Sequence, residues 1–423
     1  MSDPVRGLAY DVLRAADERD AYVNLLLPQL LRERKVDGRD AAFATELVHG
    51  TLRRRGTYDA VLDSLVGRPL DPPVRDVLRL GAHQALSMRV PSHAAVSTSV
   101  NLVRRVVGHK PAGLVNAVLR KVAADDLDTW VERVTAGLDP DDALAVRYSH
   151  PAWVVRALRT ALRAVDAADE LEALLEADNL PPKVTLVARP GLVDPAALPG
   201  SPGTVSPYAR VLEGGDPGDV AAVRDGRAGV QDEGSQMVAV TLAGAELDSA
   251  DGRWLDLCAG PGGKAALLGA LAAQRGAHLV ANEVQPHRAE LVRQGLRALP
   301  DVEVTVHDGR EGPWPAGSFD RVLVDAPCTG LGALRRRPES RWRRSPDDLA
   351  GLVPLQRGLL RRAVELTRPG GVVGYATCSP LVDETLEVVE SVGPGVATLE
   401  SVHRWWPHRD GTDAMFLAVL RRR

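Results

Sequence analysis

Three cysteines, Cys258, Cys328 and Cys378, are the residues best placed by type and position to do chemistry, and all lie in the second half of the chain. An odd number set far apart excludes a disulfide scaffold, and a thiolate zinc site would need close pairs such as C-x2-C. No metal centre is expected. What remains is either three small packing residues or nucleophilic catalysis by a thiolate. Cys258 lies in Asp256-Leu-Cys-Ala-Gly-Pro-Gly-Gly-Lys264, Cys328 closes Asp325-Ala-Pro-Cys, and Cys378 sits in Tyr375-Ala-Thr-Cys-Ser-Pro. Apolar runs precede all three, so each cysteine emerges where a strand ends.

The glycines after Asp256 let a backbone approach a ligand closely, and they aim the next helix N-terminus at it. The loop is neither the phosphate-binding G-x4-G-K-[ST] nor the G-x-G-x-x-G of nicotinamide enzymes. The next apolar run ends in Asn282-Glu283, an acid roughly 20 positions past the glycines, where a carboxylate can accept from both hydroxyls of a ribose. Two further runs end in His307-Asp308 and in Asp325. Carboxylates at the C-terminal ends of successive parallel strands line one crevice, so the pattern predicts a nucleoside-type cofactor. Cys328 and Cys378, after the fourth and fifth strands, then share the edge of that crevice, which suits nucleophiles better than packing residues. Cys258, inside the glycine loop, is expected to pack. A thiolate needs a nearby cation or dipole. Just beyond Cys328, residues 335–344 hold six arginines, one acid and Trp342, a segment able to hold phosphates and stack a base. The competing reading of that segment is a disordered basic loop.

The elements that must position these groups follow from hydrophobic periodicity. From residue 253 onward, strands over 254–258, 279–282, 302–306, 322–324 and 372–376 alternate with helices over 264–274, 286–299 and 353–366. An antiparallel edge pair follows over 398–402 and 415–420. Strand–helix alternation of this kind means a doubly wound parallel sheet. Residues 1 to about 125 read instead as a bundle of five to seven helices. They comprise a stretch from an Asp3-Pro4 cap to Leu31, 39–55 with Gly56 as its stop, 74–88 behind Asp71-Pro72, 92–107 ended by Gly108, and 111–122. Between these regions, 151–165 and 167–177 read as helix, in one piece or two. Residues 183–188 read as a strand, 190–218 as turns with at most short strands, and 231–244 as an apolar helix. The expected domains are 1–128, helical; 129–245, linker and small α+β subdomain; and 246–423, Rossmann-like α/β.

Composition narrows the class. The chain is 45% hydrophobic and 26% charged, which excludes a disordered or collagen-like protein. No apolar run reaches the ~20 residues of a membrane span, and the first residues lack a basic-then-apolar leader. A cytoplasmic protein with reduced thiols and no membrane partner is expected. The net charge of −4 conceals a one-signed stretch: residues 77–124 contain no Asp or Glu but carry Arg79, Arg89, Arg104, Arg105, Lys110, Arg120 and Lys121. Such a face is either a phosphate footprint or a dock for the protein's own acids. Asp125, Asp126 and Asp128, then Asp139, Asp141 and Asp142, mark a linker.

The runs DLCAGPGGK, DAPCTGLGALRRRPESRW and YATCSP together resemble the RNA cytosine-5 methyltransferase family. AAFATELVHGTLRRRGTYDAVLD and GLVNAVLRK resemble its NusB-like RNA-binding domain, and RYSHPAWVV and VQDEGSQMVA resemble the joining segments of the bacterial small-subunit rRNA methyltransferases of the Sun/Fmu family. The likeness spans the chain and is weakest over about 190–228. It implies a NusB-like helical bundle followed by a Rossmann-like domain that uses S-adenosylmethionine, acting as a monomer on 16S rRNA. It further implies that Cys258, Ala259, Gly260, Pro261, Gly262, Gly263 and Lys264 wrap the methionine part of the cofactor. Glu283 would hold the ribose, where the family more often has Asp, Asp308 would sit by the adenine, and Asp325 would face both cofactor and target base. Cys378 would be the nucleophile and Cys328 would assist release of product. Two departures touch substrate positioning. Pro380-Leu-Val-Asp-Glu-Thr385 stands where an acidic pair followed by Asn is usual, and Asp413-Ala-Met-Phe416 replaces a Gly-Phe-Phe-type run.

Four other readings stay open. A DNA cytosine-5 methyltransferase also uses a Pro-Cys thiol but needs neither the Thr-Cys motif nor a NusB-like domain. Another RNA, such as a tRNA, is a possible substrate, and a methyltransferase with incidental thiols is a possible mechanism. An RNA-binding assembly or antitermination factor with an inactive methylase fold is opposed by the intact Cys378, Asp325 and glycine loop.

Overall fold

The structure, a computed structural model, describes residues 3–19, 21–249 and 251–423. They form two compact units. The first runs to Arg159 and takes in Leu171–Asn179 and Leu334–Arg343; the second comprises Thr160–Glu170, Leu180–Ala333 and Arg344–Arg423. Among the described residues, no helix is long and apolar enough to cross a membrane.

The first unit is helical. Its leading elements are α1 (Pro4–Glu18), α2 (Val23–Glu33), α3 (Gly38–Arg53), α4 (Arg55–Leu65), α5 (Pro72–Leu86), α6 (Ser92–Val106) and α7 (Ala112–Val122). Asp3 opens α1 by accepting from the Arg6 N–H at 3.1 Å, and Gly108, at φ +117°, takes the chain out of α6. The apolar stripes meet in one core containing Leu8, Leu47, Tyr58, Leu78 and Leu119. Two boundaries differ from expectation. The stretch from Asp3 to Leu31 is two helices, because Arg19 leaves helical geometry at φ −128° and ψ 10° and ends α1 without a glycine or proline to mark the break. Gly56 is no stop, since it lies in the first turn of α4. Its N–H donates to Ser149 Oγ at 2.8 Å, and a Cβ there would collide with the Trp342 ring. Close approach selects this glycine, not chain reversal.

Two charge expectations also change. Arg79 is buried within ion pairs to Asp59 and Asp76, so it forms no part of a basic face. Arg89, Arg104, Arg105, Lys110, Arg120 and Lys121 are exposed. Within the arginine segment after Cys328, Arg341 and Arg343 are taken up by the protein's own acceptors. Arg341 is fully buried, donating to the Ser149 carbonyl and Asn179 Oδ1 at 2.9 Å each and to the Asp178 carbonyl at 3.2 Å. Burial pushes its pKa down to about 10. Arg343 donates to the carbonyls of Ala16 and Ala21, and Trp342 receives the Arg55 guanidinium over its ring at 5.9 Å. A run of arginines looks the same in sequence whether its forks meet phosphates or backbone carbonyls.

The second unit holds two sheets. A small antiparallel one is built from β1 (Thr185–Ala188), β2 (Ser201–Pro202), β3 (Ala209–Val211) and β4 (Ala228–Val230), in the order β2-β3-β1-β4. The large sheet comprises β5 (Arg253–Asp256), β6 (His278–Asn282), β7 (Glu303–Thr305), β8 (Phe319–Asp325), β9 (Thr367–Thr377), β10 (Ala397–Trp405) and β11 (Met415–Arg422). Its order is β10-β11-β9-β8-β5-β6-β7; β5 to β9 pair in parallel, and β11 is antiparallel to both of its neighbours. Alternate residues of the central strands fill opposite faces. Leu255, Val322, Val324 and Tyr375 meet Leu359, Leu360 and Val364 of the helix Asp348–Leu366 on one side. Trp254, Leu323 and Ala376 meet Val238, Leu242 and Leu268 on the other. Burial of both faces explains why these strands read as continuous apolar runs. Strand order reverses between β5 and β8, and the crevice of a doubly wound sheet opens at such a point, at the strands' C-terminal ends.

Candidate active site

Asp256 closes β5 and the glycine loop leaves it directly. The loop is held by backbone: Leu257 N–H donates to the Leu323 carbonyl, and Ala259 N–H to the Asn282 carbonyl at 2.7 Å. Gly262 adopts φ +115° against the backbone of Val292, where any side chain would be strained and crowded. The helix Gly263–Gln274 then starts behind the exposed Pro261 and Gly263. Glu283 follows β6. It is nearly fully buried and accepts from the N–H groups of Gly260 (3.1 Å) and Gln285 (2.9 Å). A Cβ on Gly260 would collide with its carboxylate. Asn282, just before it, donates to the carbonyls of Leu257 and His307 and accepts from Thr305 Oγ1 and the His307 N–H. One amide thereby ties the ends of three loops together. Asp308 lies further toward solvent, and its hydrogen bonds with Arg310 hold its carboxyl below the usual range.

Asp325 ends β8, with Lys264 Nζ 2.8 Å from its Oδ2. Burial works against the charge on Lys264, but the Asp325 carboxylate prevails and the ammonium is held above its usual pKa. Asp256 lies nearby, fully buried, with neither carboxyl oxygen hydrogen-bonded. Burial first, and then the charge of Asp325, push its pKa up to about 8. Burial thus favours the neutral form of Asp256, while Asp325 faces the Lys264 ammonium.

The two strand-end thiols meet. Cys328 Sγ lies 3.4 Å from Cys378 Sγ, and neither cysteine is in a disulfide. The loop after Cys328 is pinned to the Cys378 loop: Gly332 N–H donates to the Cys378 carbonyl, and Ala414 N–H to the Gly332 carbonyl, at 2.8 Å each. A Cβ at Gly332 would collide with the Ala414 carbonyl, so this glycine is needed for the approach. The hydrogen bond with Cys378, and then burial, hold the Cys328 thiol well above its ordinary pKa. Cys258 is pushed up by burial and packs beside the sheet core, the behaviour of an inert thiol. The second departure also finds a place. Asp413 is buried, and its N–H donates to Asp232 Oδ1, which also accepts from Gly234 N–H at the start of the helix Glu233–Gly244.

The sequence pattern thus brings together Cys328, Cys378, Asp325, Lys264, the glycine loop and Glu283, with Asp308 more exposed. It does not reveal the Lys264–Asp325 pair, the tie through Asn282 or the burial of Asp256. The family resemblance implies only cofactor wrapping for Lys264. Only a carboxylate at the end of β8, beside the first turn of the helix from β5, signalled that its ammonium would have a partner.

A doubly wound sheet with a glycine loop, a buried strand-end carboxylate and two facing thiols at its switch point defines a methyltransferase domain that binds a nucleoside cofactor. The chain belongs to the RsmB/F family of 16S rRNA methyltransferases, and is thus an RNA cytosine-5 methyltransferase dependent on S-adenosylmethionine. The model of that family matches residues 242–398, and the model of the NusB family matches residues 3–124. A Mycobacterium tuberculosis protein whose name says methyltransferase, without a target, is 51% identical over 446 aligned positions, covering 99% of this chain and 97% of that one. Ribosomal RNA small subunit methyltransferase B of Pseudomonas putida is 32% identical, covering 88% of this chain and 84% of its own. The crystal structure of PH0851 shares the fold across both full chains, with a TM-score of 0.80 at 21% identity.

The residues present fit the cofactor. The missing side chain at Gly260 lets the buried Glu283 carboxylate close against the glycine loop, and its remaining lone pairs can accept from ribose hydroxyls. The helix that starts at Gly263 turns its positive end toward the same place.

Proposed function

We propose that this protein methylates carbon 5 of a cytosine in 16S rRNA through a covalent adduct on Cys378. The observation that carries the reading is the 3.4 Å approach of Cys328 and Cys378 in one crevice with the Lys264–Asp325 pair. Carbon 5 of cytosine is too weak a nucleophile to accept a methyl group unaided. The Cys378 thiolate adds to carbon 6, its electron pair forming the S–C6 bond, while the ring nitrogen beside the exocyclic amine gains, through water, the proton that the Cys328 thiol gives up, which leaves Cys328 as the thiolate. The ring becomes enamine-like, with carbon 5 electron-rich. Asp325 holds the ring-nitrogen proton, and the Lys264 ammonium keeps Asp325 and the thiolate region in place. S-adenosylmethionine, when bound along 258–264, Glu283 and Asp308, supplies a methyl group activated by sulfonium charge. To finish, the carbon 5 proton passes to the Cys328 sulfur, its electron pair restores the C5=C6 bond, and the S–C6 pair returns to Cys378. The ring nitrogen gives its proton to water.

We assign the three segments separate work: 1–128 to RNA contact, 129–245 to joining, and 246–423 to catalysis. Arg89, Arg104, Arg105, Lys110, Arg120 and Lys121, all exposed, are the phosphate contacts we propose for the first. The small-subunit target follows from the name of the Pseudomonas putida relative. We place the reaction in the cytoplasm and assign it to a monomer. Bisulfite mapping of 16S rRNA from cells lacking the protein, and complemented with wild type or Cys378→Ala, tests this reading. One cytosine should lose its methyl group in the null strain and regain it only with wild type. A null strain with unchanged 16S rRNA and an unmethylated tRNA cytosine would move the substrate, and full complementation by Cys378→Ala would end the covalent mechanism.

A further inference from the structure

Glu384 lies in the segment that departs from the family pattern, six residues beyond Cys378, and it is fully buried. Its Oε1 accepts from the Thr329 N–H at 2.8 Å and from Gln356 Nε2 at 3.0 Å. Its Oε2 accepts from the Thr329 hydroxyl. Gln356 also donates to the Pro327 carbonyl at 2.9 Å, so both residues flanking Cys328 are held. The Tyr375 hydroxyl fixes the Glu384 carbonyl at 2.8 Å, and Thr329 Oγ1 stands 3.2 Å from Ser379 Oγ, beside Cys378. The two thiol loops therefore meet on one carboxylate.

A charge is a costly choice for this task. Burying a carboxylate without a cation carries a large desolvation cost, and a glutamine has nearly the same shape. The donors explain the choice. Two bonds from Thr329 and one from Gln356 converge on two oxygens, and a carboxylate accepts all three, each strengthened by its charge. An amide could keep the two bonds on one oxygen, but its NH2 would make Thr329 Oγ1 an acceptor and turn the hydroxyl proton away toward Ser379, exchanging a charge-assisted bond for a weaker one. We propose that Glu384 is a positioning residue for release of the methylated product, holding the Cys328 loop so that the Cys328 sulfur faces the adduct on Cys378. The negative charge behind Cys328 adds to the preference of that sulfur for its proton, as the acceptor of the carbon 5 proton requires. This role rests on the covalent reading above and goes beyond it, because neither the glycine loop nor the Thr-Cys motif requires it. Of the first departure, the Asp383-Glu384 pair thus retains a place, and the Thr385 hydroxyl closes its own turn on the Leu381 carbonyl at 2.7 Å.

The test uses the full-length protein with unmodified 16S rRNA transcribed in vitro and S-adenosylmethionine. Glu384→Gln is expected to lower kcat at least tenfold while KM for RNA stays within threefold. It should also accumulate a protein–RNA adduct that survives denaturing gels. A merely structural loss would lower the folded fraction and leave no adduct. Thr329→Val removes one donor without a charge change and is expected to give a smaller adduct fraction; it decides the matter if Glu384→Gln does not fold. Cys378→Ala and Cys328→Ala run alongside. Activity in Cys378→Ala overturns the covalent reading itself. If Cys378→Ala is dead and Cys328→Ala traps adduct, but the folded Glu384→Gln or Thr329→Val protein turns over normally without adduct, the Glu384 role is wrong and the covalent reading stands. No adduct in Cys328→Ala removes the release step and the Glu384 role with it.

Discussion

Cys328 Sγ and Cys378 Sγ stand 3.4 Å apart, carried by loops that leave the neighbouring parallel strands β8 and β9. This spacing lets one sulfur bond to a pyrimidine carbon while the other reaches the adjacent carbon's proton. Cys328→Ser keeps the volume but replaces a sulfur base with a hydroxyl, which is far less able to take a proton. It is expected to complete one methyl transfer per enzyme and then stall. A rapid-quench experiment with labelled methyl donor checks this: a burst close to the enzyme concentration, followed by a steady state at least a hundredfold below wild type. Equal burst and steady-state rates would assign the carbon 5 proton to another base.

The Lys264–Asp325 pair, at 2.8 Å, places a fixed cation where negative charge is used. Preorganised charge of this kind typically contributes about 10²–10³ in kcat. Lys264→Met should cut kcat by that order while leaving the affinity for RNA, measured by filter binding, within threefold. Asp325→Asn should fall at least as far, since it removes the group proposed to hold the ring proton and leaves the Lys264 ammonium without its partner. A Lys264→Met enzyme with normal kcat would reduce the pair to a structural tie.

Much of this was legible beforehand because strand ends announce themselves. Apolar runs stopped at Asp256, Glu283, Asp308 and Asp325, and a doubly wound sheet gathers such ends by topology alone. The edge pair β10 and β11 was visible for the same reason, through alternation. Side-chain traffic between distant segments stayed hidden. Glu384 bonds Thr329 across 55 residues, and Arg341 bonds Ser149 across 192; no periodicity encodes either. Glycines misled in one direction, since Gly56 was read by its freedom to turn when its small size against Trp342 was what mattered.

Asp256 gives the molecule a pH signature. Its folded-state pKa of about 8 lies above the ordinary aspartate value of 3.8, so between these limits the native state binds a proton that the unfolded chain has lost. Stability conferred by the neutral acid is complete below about pH 4 and declines as pH rises toward 8. Asp256→Asn removes that titration. The difference in unfolding free energy between variant and wild type should therefore grow in favour of the variant from pH 5 to pH 8, by a few kcal/mol at ~1.4 per pH unit. Urea denaturation at four pH values measures it. A difference that stays flat would mean that Asp256 ionises normally in the fold.

Gly260→Ala probes the proposed cofactor site. The added methyl would collide with the Glu283 carboxylate, which is buried and tied to two backbone N–H groups. Glu283 would have to leave the position proposed for the ribose. Affinity for S-adenosylmethionine, by titration calorimetry, should fall at least tenfold with a melting temperature within a few degrees of wild type. Unchanged affinity would place the ribose elsewhere.

Arg341 separates a structural arginine from a nucleic-acid contact. Its guanidinium is fully buried on the Ser149 and Asp178 carbonyls and Asn179 Oδ1. Arg341→Met removes the donor from three acceptors, two of them in buried bonds, and each buried acceptor left unsatisfied costs roughly 1–3 kcal/mol. Arg341→Lys should recover only part of that loss, because an ammonium cannot reproduce the planar fork. A fall in stability of about 3 kcal/mol or more is expected for the methionine variant in chemical denaturation. RNA binding carries the contrasting signature. A phosphate contact contributes about 0.7–0.9 to the slope of log K against log salt, so loss of such a contact would flatten that slope. For Arg341→Met the slope should be unchanged at a temperature where the variant is folded, whereas for Arg120→Ala, on the exposed face of α7, it should become shallower by about that amount. The reverse pattern would return the arginine segment to the RNA and take the basic face away from it.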